Sequence, residues 1–191
     1  MTGKKERTRE HILKASYALF AKKGFKQVTM KDVCEAANMS RGGLYSHFSG
    51  TDQLFEALLE KITEKDAMDF QGKIEKGMAA AEILEEALKL MEEEMRHPED
   101  SLSMAMYEYA EEAGSDVMQR LNRSSEKRWK KLILYGIENG EFQAVDADEI
   151  VNMILFSYQG VRMWSRIIPV KQKTVHSIAQ NIKRQLRGER K

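Results

Sequence analysis

The sequence predicts an all-α protein. Two observations carry that expectation. Only two prolines, Pro98 and Pro169, interrupt a 191-residue chain that is rich in Ala, Leu, Glu, Lys and Met, the strong helix formers. Apolar residues also recur at helical spacing between stop signals at Gly24, Asn38, Ser49-Gly50, Pro98, Gly114, Asn139-Gly140 and Pro169.

The first helix is expected from about Glu6 to Lys23, with Ile12, Ala15, Ser16, Leu19 and Phe20 on one face. Lys22 and Lys23 suit its C-terminal dipole, and Gly24 supplies a left-handed cap. Thr29 with Asp32 forms a capping box for a second helix whose apolar face is Val33, Cys34, Ala36 and Ala37. Asn38 ends that helix after about two turns. Ser40 caps a third helix from Arg41 to about Phe48, and Ser49-Gly50 closes it. A fourth helix opens at Thr51 or Asp52 and continues through Leu54, Phe55, Leu58, Leu59 and Ile62 to roughly Phe70. Further helices are expected at about 79–96, 101–113, 116–139, 146–168 and 172–187, with Asp146 and Glu149 as a second capping box. The implied division is a small domain over 1–50 and a larger helical one over 51–191.

Several classes are disfavoured. The chain has no 18-residue uncharged apolar run, and its start, MTGKKERTRE, has no apolar segment behind it, so a soluble cytoplasmic protein is expected. Cys34 has no second cysteine to pair with and reads as a small buried hydrophobe. His11, His47, His97 and His176 show no ligand spacing, so neither a metal nor a cofactor is expected. No Gly-rich phosphate loop, nucleophile motif or paired-carboxylate signature points to an enzyme.

The net charge of +1 conceals an asymmetry. Residues 1–50 carry ten Lys/Arg against four Asp/Glu, residues 51–125 eight against nineteen, and residues 126–191 thirteen against seven. Such a distribution fits a basic front drawn to phosphates, and it equally fits ordinary solvated helix faces. Lys4, Lys5, Arg7 and Arg9 likewise fit either an arm reaching the minor groove or a frayed tail.

Two short helices joined by a turn, the second N-capped, have the geometry of a helix-turn-helix that places one helix in the major groove. At 100° per residue Leu44 and Phe48 fall together toward the core, while Gly42, Gly43 and Ser46 lie opposite. Two glycines inside a helix cost roughly 2 kcal/mol relative to alanines, and close approach of backbone to a ligand is a reason to keep them. Arg41 suits a guanine edge, and Thr29, Ser40, Tyr45 and His47 suit phosphate oxygens.

Gly24-Phe25, Val28 to Val33, Ala36 to Gly42 and Leu44 to Phe48 together resemble the N-terminal domain of TetR-family transcriptional regulators, over about residues 8–60. The resemblance implies a homodimer that binds a palindromic operator, usually as a repressor, and releases it when a small molecule enters the larger domain. It implies phosphate contacts for Thr29, Ser40, Tyr45 and His47, and a base-facing surface at Arg41, Gly42 and Gly43. Thr51 stands where the family commonly has a lysine, and Gly43 where it often has Thr, Ser or Ala. An adaptor that has lost DNA contact is the alternative to a repressor.

From Ile150 to Ile168 twelve of nineteen residues are apolar, more than one buried helix face needs. With the last helix they predict a subunit interface, built on Ile154, Tyr158, Val161, Ile178 and Ile182. Met106, Tyr107, Trp129 and Phe156 offer the adaptable lining of an effector pocket, although a Met or aromatic stripe at helical spacing is more often plain core. Glu108, Glu111 and Glu112 beside them would suit a cationic, lipophilic effector.

Overall fold

Caps and stop signals set the elements of the computed structural model, which describes residues 2–64 and 69–188. These residues form the helices α1 (Thr2–Lys23), α2 (Met30–Ala36), α3 (Arg41–Tyr45), α4 (Thr51–Glu64) and α5 (Phe70–Glu75). There follow α6 (Ala80–Arg96), α7 (Ser103–Ala113), α8 (Asp116–Glu138), α9 (Ala147–Trp164) and α10 (Gln172–Arg187), with one 3-10 turn at Pro98–Asp100. By packing the chain forms two compact units, Met1–Asp66 with Glu99–Met118, and Ala67–Pro98 with Gln119–Lys191. The division expected at residue 50 therefore does not follow packing, because α4 and α7 share a core with the first three helices.

In the first unit α1 opens at Thr2 rather than Glu6, so Lys4, Lys5, Arg7 and Arg9 form neither an extended arm nor a frayed tail. The Arg7 Nε donates to the Gly3 carbonyl at 2.9 Å, and the Arg9 guanidinium lies over the Phe48 ring, 5.2 Å from its centroid. Ile12, Phe20, Val33, Leu44, Phe48, Leu54 and Phe55 are fully buried and make the core, as their helical spacing implies. Phe20, Phe25, Phe55 and Tyr109 form an aromatic cluster. Phe25 meets Tyr109 edge-on at 5.0 Å and Phe55 meets it at 5.2 Å. The Tyr109 hydroxyl donates to Glu56 on α4, so the buried phenol keeps a polar partner.

The second unit is a core of α5, α6, α8, α9 and α10 centred on Leu84, Leu88, Leu132, Ile133, Ile154, Ile182 and Leu186. Helix α5 is absent from the sequence-based expectation, which ran α4 to Phe70. Asp69 caps α5 by accepting from the Gly72 amide at 2.9 Å, and Phe70 is buried edge-on against Trp129, 4.9 Å between centroids. Gly72 thus marks room for a cap rather than a break. Helix α6 has no side-chain cap of its own. The Glu141 carboxylate, from the loop after α8, accepts from the Ala80 and Ala81 amides at 2.9 Å each. Helix α9 stops at Trp164 because the chain must leave helical geometry before Pro169.

This packing corrects the expected interface residues. Ile154 and Ile182 are buried in their own chain's core and present nothing to a second subunit. Val161 and Ile178 are half-buried against that same core. Tyr158 donates to Glu94, accepts from Arg162 at 2.7 Å, and lies under the Arg162 guanidinium. On α9 and the turn after it Phe156, Trp164, Ile167 and Ile168 are exposed.

Gly136 is buried in α8 with the Phe142 ring seated where a Cβ would lie. Both the Glu141 and Phe142 amides return to its carbonyl, at 2.9 and 3.0 Å. Gly136→Ala is expected to expel Phe142 and lower stability by about 1–3 kcal/mol, the cost of overpacking a filled core. Urea unfolding of the pure variant against the wild type measures it.

Candidate nucleic-acid interface

The α2–turn–α3 segment is built from short-range hydrogen bonds. Thr29 begins α2 with a complete capping box: its hydroxyl accepts from the Asp32 amide at 3.2 Å, and its own amide donates to the Asp32 carboxylate at 2.8 Å. The Thr29 hydroxyl donates to the same carboxylate, and Lys23 Nζ, from the end of α1, sits 2.6 Å from it. The Lys23 hydrogen bond, followed by those from Thr29, holds the Asp32 carboxyl well below the usual carboxylate range.

Helix α2 ends in a Schellman turn. Asn38 takes φ 49°, a left-handed value that asparagine tolerates, and its amide returns to the Glu35 carbonyl at 3.2 Å. The Met39 amide returns to the Cys34 carbonyl at 2.9 Å. His11 Nε2 lies 2.9 Å from the Ala37 carbonyl, and because a carbonyl only accepts, that nitrogen carries the proton. So α1 grips the end of α2 while Ser40 starts α3, accepting from the Gly43 amide at 3.2 Å.

Helix α3 is shorter than expected, five residues, since the Ser46 hydroxyl bonds back to the Gly43 carbonyl at 2.7 Å and His47 turns toward Leu44. Leu44 and Phe48 are buried, while Arg41, Gly42, Tyr45 and Ser46 are exposed on the other side. Neither glycine has positive φ, so the backbone does not demand one. A Cβ on Gly42 would meet nothing within 4 Å, whereas one on Gly43 would press on Ser40 Oγ at 3.2 Å. Gly43 makes room for the cap. Gly42 has no such internal reason.

The sequence-predicted contact residues are gathered here, with unequal freedom. The side chains of Arg41 and Tyr45 have no hydrogen bond or ion pair among the described residues, and Tyr45 is 53% exposed. Thr29, by contrast, has its hydroxyl committed to Asp32. His47 is half-buried and its Nδ1 is enclosed without a partner, which leaves Nε2 as the ring atom able to reach outward.

The predicted effector residues are divided between the two units. Met106 and Tyr107 belong to the first unit, and Tyr107 is half-exposed. Trp129 is core of the second unit, and Phe156 there is 74% exposed. Of the acidic residues set beside them, Glu108 and Glu111 have partners. Glu108 accepts from the Lys26 amide at 3.0 Å, and Glu111 pairs with Lys26 Nζ at 3.1 Å. Hydrogen bonding to Lys26, then to Tyr107, lowers the Glu111 carboxyl, and Lys26 is raised in return. Two of the three carboxylates expected beside a cationic effector are thus engaged by Lys26.

Residues 12–58 match the profile of bacterial regulatory proteins of the tetR family. A Bacillus subtilis protein described as the uncharacterized HTH-type transcriptional regulator YfiR is 32% identical over 146 residues, covering 74% of this chain and 71% of its own length. The chain belongs to the TetR family of transcriptional regulators. The HTH-type transcriptional repressor KstR2 of Mycolicibacterium smegmatis is 23% identical over 154 residues, spanning 76% of this chain and 73% of the repressor. The fold is shared with a regulatory protein TetR from Rhodobacter sphaeroides, TM-score 0.74 at 19% identity over 93% of this chain and 97% of that one. It is also shared with the ketosteroid transcriptional regulator KstR2 of Mycobacterium tuberculosis, TM-score 0.65 at 20% identity over 95% of both chains. TetR-family members are DNA-binding regulators rather than enzymes, and no helix among the described residues is long and apolar enough to cross a membrane.

Asp32, which the sequence suggested only as a cap, also fastens the start of α2 to the end of α1. Its lowered carboxyl means that its stabilisation is present above the ordinary carboxylate range and is lost as pH falls through the depressed value. Asp32→Asn is therefore expected to melt at a lower temperature than wild type at pH 7, with the gap closing toward pH 2. Thermal unfolding monitored by circular dichroism across that range checks it; a gap independent of pH would contradict it.

Proposed function

We propose that this TetR-family chain is a homodimeric repressor that binds a palindromic operator through α3 and releases it on binding a small molecule. The observation that carries the reading is the outer side of α3, where Gly42 has open space and the adjacent Arg41 and Tyr45 are uncommitted. A bare backbone at that point lets the helix approach base edges closely, with Arg41 aimed at guanine. Tyr45, Ser40 and His47 Nε2 supply donors for phosphates, which position the helix without reading sequence. Thr29 reaches a phosphate only by giving up its bond to Asp32. With one main reading side chain, DNA shape carries much of the specificity.

The dimer is assigned to the exposed apolar strip of α9 and the turn after it, Phe156, Trp164, Ile167 and Ile168, with Gly160 open for close helix contact. Small-molecule control rests on the family and on the ketosteroid regulator among the similar folds. The four aromatic and Met positions considered from the sequence are not assigned to the effector.

Fragments of the source genome recovered on the pure protein supply the operator. Binding to them should weaken steeply with salt, since each phosphate contact adds close to one unit to the log–log slope. Arg41→Ala is expected to cost about 1–3 kcal/mol and to relax preference at one base pair per half-site. Gly42→Leu should abolish binding while the protein stays folded and dimeric. Unchanged affinity in both variants, measured by gel shift, would sink the reading. Phe156→Glu should convert the dimer to monomer in sedimentation.

A further inference from the structure

Helix α7 packs in the DNA-binding unit although the chain before and after it belongs to the second unit. Its buried side, Ala105 and Tyr109, joins the aromatic cluster that also holds the loop between α1 and α2 through Phe25. Its half-buried Glu108 does something more specific: the carboxylate accepts the backbone N–H of Lys26, in the middle of that loop. The seat is built for it. Gly24 has φ +79°, and a Cβ there would overlap the carboxylate, 2.9 Å from its Cδ. Two residues beyond Lys26 the Val28 amide closes a turn on the Phe25 carbonyl at 3.2 Å, and Thr29 then starts α2. The buried Phe25 and Val28 side chains hold the two sides of the loop, and the Lys26 bond adds a backbone anchor between them, supplied from α7.

We propose that Glu108 is a positioning residue for DNA recognition: its carboxylate, held on the Lys26 amide, fixes the α1–α2 loop and through it the placement of α2 and α3. The proposal rests on the DNA-binding reading above and adds a route of control to it. Because the backbone enters and leaves α7 from segments of the second unit, a rearrangement there reaches Glu108 along the chain. Withdrawal of the carboxylate frees the loop without unfolding the core. The outlying Lys26–Glu111 pair is half-exposed on both sides and guides the contact rather than anchoring it.

Three substitutions separate hydrogen bonding from charge. Glu108→Gln keeps an acceptor oxygen in place, Glu108→Asp keeps the charge but draws it back by one methylene, and Glu108→Ala removes both. Positioning predicts that Glu108→Ala and Glu108→Asp bind the recovered genomic fragment about tenfold more weakly, the loss of one hydrogen bond, while Glu108→Gln stays near wild type. In the free protein, Lys26 amide exchange should quicken in the Ala and Asp variants and remain slow in Gln. The proposal is overturned if Glu108→Asp binds like wild type while Glu108→Gln does not, which would assign the effect to charge. It is also overturned if Lys26 exchange is the same in all four proteins. Failure of the wild type itself to bind any fragment would remove the DNA-binding reading. Lys26 exchange would still decide whether Glu108 holds the loop.

Discussion

The arrangement of the DNA-binding unit depends on the packing of Phe20, Phe25, Phe55 and Tyr109. These four rings come from α1, from the loop after it, from α4 and from α7, so one cluster determines where three helices and a loop meet. Edge and tilted contacts of this kind contribute about 0.5–1.5 kcal/mol each beyond the area they bury. Their directional preference matters as much as their energy, because a tilted ring admits fewer alternative packings than an aliphatic side chain. The Tyr109 hydroxyl bond to Glu56 fixes that ring's polar end in the same way.

On that frame the recognition segment is carried by bonds that are individually weak and geometrically specific. Lys23 and Asp32 tie the end of α1 to the start of α2, His11 ties α1 to its end, and Arg9 covers the Phe48 ring just beyond α3. The first helix thus contacts the segment at its beginning, its turn and its far end. A five-residue helix has no independent stability in water. α3 keeps its shape because Leu44 and Phe48 are buried beneath it and because Ser40 and Ser46 close its two ends. Such a helix can spare its outer face, and an unencumbered Gly42 follows from that economy.

What was legible in the sequence was local. The capping box at Thr29, the Asp146 side-chain cap, the stop at Asn38 and the inward pair Leu44 and Phe48 all follow from neighbours a few residues apart. What was not legible was set by distant partners. α5 was hidden because Gly72 reads as a breaker until Asp69 is seen to use the space, and the α6 cap comes from Glu141, some sixty residues away. In the acidic run at Glu108, Glu111 and Glu112 the sequence could not show that Glu108 and Glu111 bind Lys26, more than eighty residues earlier. Apolar periodicity in α9 showed that the helix has too much apolar surface, but not which residues face inward. Ile154 belongs to the core and Phe156 to the exterior, a distinction of two positions.

The account stands on α3 entering the major groove with Arg41 at a guanine. Methylation interference on the recovered operator separates the grooves in one experiment, since dimethyl sulfate marks guanine N7 in the major groove and adenine N3 in the minor groove. The account predicts interference at guanine N7 in symmetry-related half-sites, with the signal at one guanine per half-site absent in Arg41→Ala. Interference confined to adenine N3, or an Arg41→Ala pattern identical to wild type, would contradict it.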